Sequence, residues 1–371
     1  MPTRNYNTVT ILPYLYLNGE IGFDNLRIWP FHKYKDKNIS DTALKTHLEK
    51  ILQTYTYVSG RSIENPTIIT NYRYEFPNIY KKTIDKIEYT KQALLIPSIL
   101  KMNSWNFITS DNFLSYYQRF QIGNTGISTQ AGAIHGISTG GYTMDEIQFQ
   151  KPEYIHVANQ PVNFDIPTLS ALLDLYKDRE TNLDKANIYN SLGPFFYTYK
   201  NTTEIPMHTR ILNLIMAFEL LFGESSRSNF RSNILNYVSR DPSSEQKYSY
   251  PEVHTQTGAV IRNLNLSLPE IWAEEFYKLR HRIIHGNVVS TTDFVFNDTE
   301  DITTKNDPHF YIAINMFVGC VLKKLRDLGY QDIPKYYIST ADIPIYKNIS
   351  GISDELFKIE DRGLHEILAG M

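Results

Sequence analysis

The sequence predicts a two-domain α+β protein, in which a β-rich mixed domain over residues 1–160 precedes an all-α helical bundle over residues 161–330. The chain has 371 residues, which is longer than a usual single domain. Short β-rich runs fill the first part, whereas apolar residues take up helical spacing from Pro167 onwards. Residues 331–371 are predicted to form a tail with a short amphipathic helix.

The N-terminal domain is predicted from runs of β-branched and aromatic residues that are bounded by turn residues. Three strands and one intervening helix are expected, at residues 8–17, 25–30, 67–76 and 40–54, and several further short strands are expected between Trp105 and Val157. This half of the chain contains no recognisable catalytic constellation. We therefore expect it to sense a trigger, which is a phage or host protein or a nucleotide.

The second domain is predicted from apolar residues that recur every three or four positions. Helices are expected at residues 168–178, 186–200, 207–223, 227–240, 268–285 and 308–328. The segments 241–266 and 286–307 are predicted to be loops.

The helix over residues 268–285 has the clearest local signals. Ser267 and Glu270 form a Ser-x-x-Glu capping box ahead of it, and Gly286 supplies a stop. Apolar side chains form two stripes, one made of Trp272, Phe276, Leu279 and Ile283, and the other of Ala273, Tyr277 and Ile284. The first stripe is expected to face the core, and the second predicts a partner.

Cations and imidazoles gather at the end of this helix, between Lys278 and His285. Arg280 offers a planar fork of donors that suits a phosphate, and histidine moves protons near neutral pH. The partial negative charge of the helix terminus favours the imidazolium form of His285. Together with His281 and Arg282, these residues predict a local positive groove for RNA, although the net charge of the chain is −3.

The string from Tyr277 to Gly286 resembles a motif of the HEPN ribonucleases: an Arg, a polar residue, three variable residues and a His. The likeness is to the Apea-like branch, where a Gly commonly follows the His. The run from His208 to Phe222 resembles the earlier helix of that branch, which carries an Arg and then a Glu, here Glu219. The resemblance covers about residues 165–330.

The resemblance implies a HEPN-like bundle that dimerises, so that two Arg/His motifs form one composite groove. It also implies cofactor-free and metal-independent cleavage of RNA through attack of the 2′-hydroxyl on the adjacent phosphate, which leaves a cyclic phosphate and a 5′-hydroxyl. His285 is then the general base or acid, Arg280 neutralises transition-state charge, and His281 orients or supplements them. A toxin-like or phage-defence role is part of the same implication.

Four further residues are expected to support the site. Glu219 lies on a helix that is apolar almost all round, so its carboxylate needs a partner, which we expect to be an Arg of the motif helix. Tyr277 and Arg282 are expected beside the catalytic residues, and Lys278 is expected to bind substrate.

Imidazoles four residues apart can bind a metal from one helix face, so His281 and His285 are also candidate metal ligands. We expect no metal there. The pattern lacks the Glu of His-Glu-x-x-His, Arg280 and Arg282 would repel a cation, and the one cysteine, Cys320, is distant in sequence.

Two other interpretations stay open. In the first, the bundle binds a nucleotide, RNA or a protein without cutting anything, while Arg280 and His285 only stabilise the helix end. In the second, the N-terminal domain holds an enzyme site, and the bundle is a dimerisation scaffold.

Composition predicts a cytoplasmic protein that does not enter a membrane. A single cysteine excludes an internal disulfide, and no signal peptide is recognised, which together are typical of a reducing compartment. The most apolar run, residues 211–222, is too short to span a bilayer and contains Asn213 and Glu219.

Overall fold

The computed structural model has a mixed α+β fold, with a small sheet near the N-terminus followed by a helical region. The structure describes residues 6–23, 26–38, 45, 46, 49, 52, 53, 55, 56, 62–74, 80–101, 114, 118–123, 126–129, 161–198, 205–224, 226–239, 241–253, 259–289, 291–294 and 309–335. These residues form two compact units, which divide the chain after Tyr176. The predicted α+β class is confirmed, and so is its order of sheet before helices.

The first unit contains a sheet of six antiparallel strands in the order β2-β3-β4-β1-β5-β6. The strands are β1 (Tyr6–Leu12), β2 (Ile21–Phe23), β3 (Leu26–Pro30), β4 (Thr67–Tyr74), β5 (Gln118–Gly123) and β6 (Gly126–Thr129). Ile11 lies opposite Ile68 in the central pair, and both are fully buried. β1 ends earlier than predicted, because Pro13 has no N–H to donate to a ladder.

Four described helices begin in the first unit: α1 (Phe31–Asn38), α2 (Tyr80–Ala93), α3 (Leu95–Ile99) and α4 (Ile166–Asp178). The sequence did not predict the first three, which are short or rich in charged residues and depend on tertiary packing more than on periodicity. Most of the helix expected over residues 40–54 lies outside the described residues. The same holds for the predicted tail beyond residue 335.

α4 was expected to open the second domain, yet most of it packs in the first unit. The Tyr89 hydroxyl donates a hydrogen bond to the Leu172 carbonyl, and the rings of Tyr89 and Tyr176 lie 5.7 Å apart. Asp165 caps the helix by accepting a hydrogen bond from the Thr168 backbone N–H at 3.1 Å. The compact units therefore divide later in the chain than the boundary predicted at residues 160 and 161.

The second unit is built mainly from helices α5 (Leu183–Thr198), α6 (Met207–Phe222), α7 (Arg227–Val238), α8 (Leu268–Ile284) and α9 (His309–Asp327). Each lies within a few residues of its predicted bounds. The loop predicted over residues 241–266 is wrong, because β7 (Tyr248–Val253) and β8 (Val260–Leu266) form an antiparallel hairpin there. Its buried Tyr248 and Tyr250 alternate with exposed residues, which is the period of a strand.

Phe218 of α6 is the centre of the aromatic core of this unit. Its ring lies 5.3 Å from Phe317 of α9 and 5.4 Å from Phe230 of α7, and it also contacts Trp272 and Phe276 of α8. All five side chains are almost completely buried. Three helices, α7, α8 and α9, therefore pack around one ring of α6.

Arg210, the Arg of the resemblance in the earlier helix, has a structural position. Its Nε donates a hydrogen bond to the Thr198 carbonyl at 2.9 Å, and its guanidinium lies 3.9 Å from the ring centroid of Phe310. The side chain is buried, so these contacts replace the solvation that the cation loses. Arg210 thus joins α5, α6 and α9.

Replacing Phe218 by Ala is expected to lower the free energy of unfolding by about 3–5 kcal/mol, because the surrounding helices cannot close the cavity. The measurement is urea unfolding followed by circular dichroism. Leu183→Ala, at a side chain that is 77% exposed, is the control and should change stability by no more than about 0.5 kcal/mol. Equal losses in the two variants would show that Phe218 does not organise this core.

Candidate functional site

The helix that carries the candidate site, α8, begins at the predicted capping box. The backbone N–H and the hydroxyl of Ser267 both donate to Glu270 Oε2, each at 2.8 Å. The ammonium of Lys247 pairs with the same carboxylate. The predicted capping box is therefore present, and the charge pair with Lys247, which was not predicted, adds to it.

The C-terminal end of α8 is closed by a left-handed glycine. Gly286 has a φ of +67°, and the backbone N–H of Asn287 donates to the Arg282 carbonyl at 3.1 Å, which is a Schellman arrangement. The backbone N–H of His285 donates to the His281 carbonyl, also at 3.1 Å. The predicted stop at Gly286 is confirmed, and it holds the backbone of His285 in place.

Arg280, Glu219 and Tyr277 form a contact between α8 and α6. Arg280 Nη2 lies 3.2 Å from Glu219 Oε1, and the Tyr277 hydroxyl donates to the same oxygen at 3.2 Å. The guanidinium also lies 5.1 Å from the Tyr277 ring centroid. The expected pairing of Glu219 with an Arg of the motif helix is confirmed.

The phenol of Tyr277 is held in its protonated form. Burial raises the pKa of Tyr277; Arg280 lowers this pKa, and Glu219 raises it again. The net shift is upward, so the hydroxyl stays a donor to Glu219 at neutral pH. This bond helps to fix the carboxylate that holds Arg280.

His281 and His285 form a second group, on the exposed surface of α8. Their ring centroids lie 4.2 Å apart, with an angle of 48° between the ring planes. Both side chains are exposed to solvent. At 3.6 residues per turn, positions 280 and 285 are separated by about 140° around the helix axis. Within one protomer, the imidazole pair and the Arg280 group therefore lie on different sides of α8.

The other two cations of the segment have acidic partners. Lys278 donates to the hydroxyl of Tyr250 in the hairpin, and its ammonium lies 3.2 Å from Glu275 Oε1. Arg282 pairs with Asp293 in a short 3₁₀ helix, Thr291–Phe294. These contacts connect the end of α8 to the elements before and after it.

Sequence reasoning missed Glu274, whose side chain has no exposed surface. Its carboxylate pairs with Arg227, and one of its oxygens lies 3.5 Å from Arg231 Nη1. A partial signal was present, because Glu274 and Glu275 interrupt the apolar residues from Trp272 to Tyr277, but the sequence does not show which of the two is buried. A carboxylate at such a position needs cationic partners.

Within the described residues, no group of three or more His, Cys, Asp or Glu side chains could hold a metal ion. No helix in the same ranges combines the length and the apolar character needed to cross a bilayer. Comparisons with models of protein families, with curated proteins and with solved structures give no match.

Replacing Glu274 by Gln is expected to destabilise the protein by about 3 kcal/mol or more, because Arg227 and Arg231 lose the buried charge that compensates them. The midpoint of urea unfolding measures the loss. The control is Glu180→Gln, whose carboxylate is 82% exposed, and it should have almost no effect. A Glu274 variant as stable as the control would contradict a structural role for the buried pair.

The contribution of Glu270 is expected to depend on pH. Burial raises the pKa of Glu270, but hydrogen bonds from Lys247 and Ser267 lower it by more, so the net pKa is below its ordinary value of 4.5. The carboxylate therefore adds stability above about pH 4.5, and this is lost as the pH falls through the lowered value. In urea unfolding, wild type should be more stable than Glu270→Gln at pH 7, and this difference should shrink as the pH is lowered below 4.5; a constant difference would contradict this.

Proposed function

We propose that the second unit is a HEPN-like helical bundle and that the chain is a metal-independent endoribonuclease. The observation that carries the proposal is the exposed pair of imidazoles, His281 and His285, on the helix that also carries Arg280. Proton carriers and a guanidinium on one element are the groups that RNA cleavage by its own 2′-hydroxyl requires.

The proposed reaction needs one proton removed and one supplied. A neutral imidazole takes the proton of the 2′-hydroxyl while its oxygen attacks the adjacent phosphorus. The bond from phosphorus to the 5′ oxygen breaks, and an imidazolium donates a proton to that oxygen. His285 is the proposed base or acid, and His281, in ring contact with it, supplements or orients it. The products are a 2′,3′-cyclic phosphate and a 5′-hydroxyl.

Arg280 is proposed to stabilise the negative charge that grows on the phosphate. A guanidinium has five N–H donors, so the contact with one Glu219 oxygen leaves donors for a substrate. Glu219 and the Tyr277 ring restrict the orientation of the cation before substrate arrives, which lowers the entropic cost of the transition state. Glu219 and Tyr277 are positioning residues in this scheme.

A groove shared by two protomers is part of the proposal. On a single α8, about 140° separate positions 280 and 285, so a second copy is a natural source of the complementary group. Exposed apolar side chains lie close in sequence to the Arg280–Glu219 pair: Met216 is 45% exposed, Ile284 is 51% exposed and Val288 is 94% exposed. Burying them would favour a homodimer. Lys278 and Arg282 would then lie at the rim, where RNA phosphates would compete with Glu275 and Asp293 for them.

The first unit is proposed to receive the signal that activates the enzyme, either a protein or a nucleotide. The proposed targets are cellular RNAs in the cytoplasm, which corresponds to a toxin-like or phage-defence effector. Overproduction of an active form would then arrest growth.

A second candidate function is a HEPN-like module that binds RNA, a nucleotide or a protein without cleaving it. One observation favours it: three cations of the motif segment already contact carboxylates, namely Lys278, Arg280 and Arg282. Such pairing is common in purely structural helix ends. The two candidate functions predict different results when the purified protein is incubated with RNA: cleavage in the first case, and binding without cleavage in the second.

Purified full-length protein is expected to cut mixed single-stranded RNA in the presence of EDTA. His285→Ala should lower the rate by roughly 10²–10⁴-fold, because an acid–base group is lost. Arg280→Ala should also abolish most of the cleavage, because charge on the phosphate is no longer neutralised. Gel analysis of labelled RNA measures the rates, and the cyclic phosphate end identifies the chemistry.

The matched control is His208→Ala, since His208 is an exposed histidine on a different helix, α6. It should cut RNA at the wild-type rate. The mass of every variant in solution should be that of a dimer. Equal cleavage by all four proteins would refute the proposed site, whereas RNA binding by wild type with no cleavage, even on overproduction, would favour the binding module.

A further inference from the structure

The imidazoles of His281 and His285 have the spacing of a pair of metal ligands. They lie four residues apart on a helix, which places two ligands on one face, and their ring centroids are 4.2 Å apart. A backbone hydrogen bond of 3.1 Å joins the two residues, and the Schellman turn at Gly286 holds the second. Two exposed imidazoles on a fixed backbone can reach one cation by rotation of their side chains alone.

The charges around this pair are balanced, which removes a reason to expect repulsion of a cation. The sequence alone shows two flanking arginines, Arg280 and Arg282, which would repel a metal cation. In the structure, each flanking cation contacts a carboxylate: Lys278 with Glu275, Arg280 with Glu219 and Arg282 with Asp293. The electrostatic repulsion of a metal cation at the imidazoles is therefore weaker than it would be beside three unpaired cationic side chains.

We propose that His281 and His285 bind a borderline divalent cation such as Zn²⁺ and that the bound cation inhibits the site. Imidazole suits Zn²⁺, Ni²⁺ and Cu²⁺, whereas Mg²⁺ and Ca²⁺ take oxygen ligands. Two protein ligands hold zinc more weakly than the four of a structural site, which suits reversible control. This cation is a regulator and takes no part in cleavage.

Inhibition follows from the atoms that the cation occupies. A metal binds the nitrogen lone pairs of neutral imidazoles, and these are the lone pairs that would accept a proton from a 2′-hydroxyl. A histidine that holds Zn²⁺ cannot act as a base or as an acid. This half of the inference rests on the proposed nuclease function, whereas the binding half does not.

Calorimetric titration of the full-length protein with ZnCl₂ tests the binding half. Wild type is expected to bind Zn²⁺. His281→Asn and His285→Asn should each weaken binding roughly a hundredfold, because the remaining imidazole then binds the cation without the chelate effect of a second ligand. His208→Asn is the matched control and should bind as wild type does. Circular dichroism of each variant checks that it is folded. Absence of binding, or equal binding by all four proteins, would overturn the site.

RNA cleavage by wild type, measured with Zn²⁺, with Mg²⁺ and after addition of EDTA, tests the inhibitory half. Zn²⁺ should suppress cleavage at the concentrations that saturate the titration, EDTA should restore it, and Mg²⁺ should have no effect. Cleavage that continues while Zn²⁺ is bound would overturn the inhibition. If wild type cleaves no RNA in any condition, the inhibitory half fails with the proposed function, and the titration still decides the metal site.

Discussion

The buried carboxylate of Glu274 is the constraint on which the placement of α8 depends. A charge without exposed surface has to be paired, and its partners, Arg227 and Arg231, both come from α7. Arg227 also lies 3.8 Å from Glu252 in the hairpin. These ion pairs connect α7, α8 and the hairpin, and they set the rotation of α8 about its own axis. That rotation decides which residues of the motif face α6 and which face solvent.

The rotation divides the motif into two halves with different physical character. Arg280 is held against α6 by a carboxylate and by an aromatic ring, so it is a rigid and partly shielded cation. His281 and His285 lie at the C-terminal end of the helix and are exposed to solvent, where a ligand can reach them. A helix end therefore combines a fixed electrostatic element with accessible titratable groups.

Local signals explain what could be predicted from the sequence. The bounds of α8 follow from Ser267, Glu270 and Gly286, which act through hydrogen bonds with their near neighbours. The pairing of Glu219 follows from the cost of an unpaired carboxylate on an apolar helix. Membership of α4 in the first unit could not be predicted, since it depends on contacts with Tyr89, far away in the chain. The hairpin was missed because its alternation is interrupted by polar residues and by Pro251.

The positions of Trp29 and Trp272 provide separate optical reporters for the two units. Trp29 is 2% exposed in the first unit, and its indole N–H donates to the Thr70 hydroxyl, whereas Trp272 is fully buried in the second unit against Phe276. A buried indole emits at shorter wavelength than one in water. With Trp105 and one of these two replaced by Phe, the emission of the remaining indole would follow the unfolding of a single unit within the intact chain.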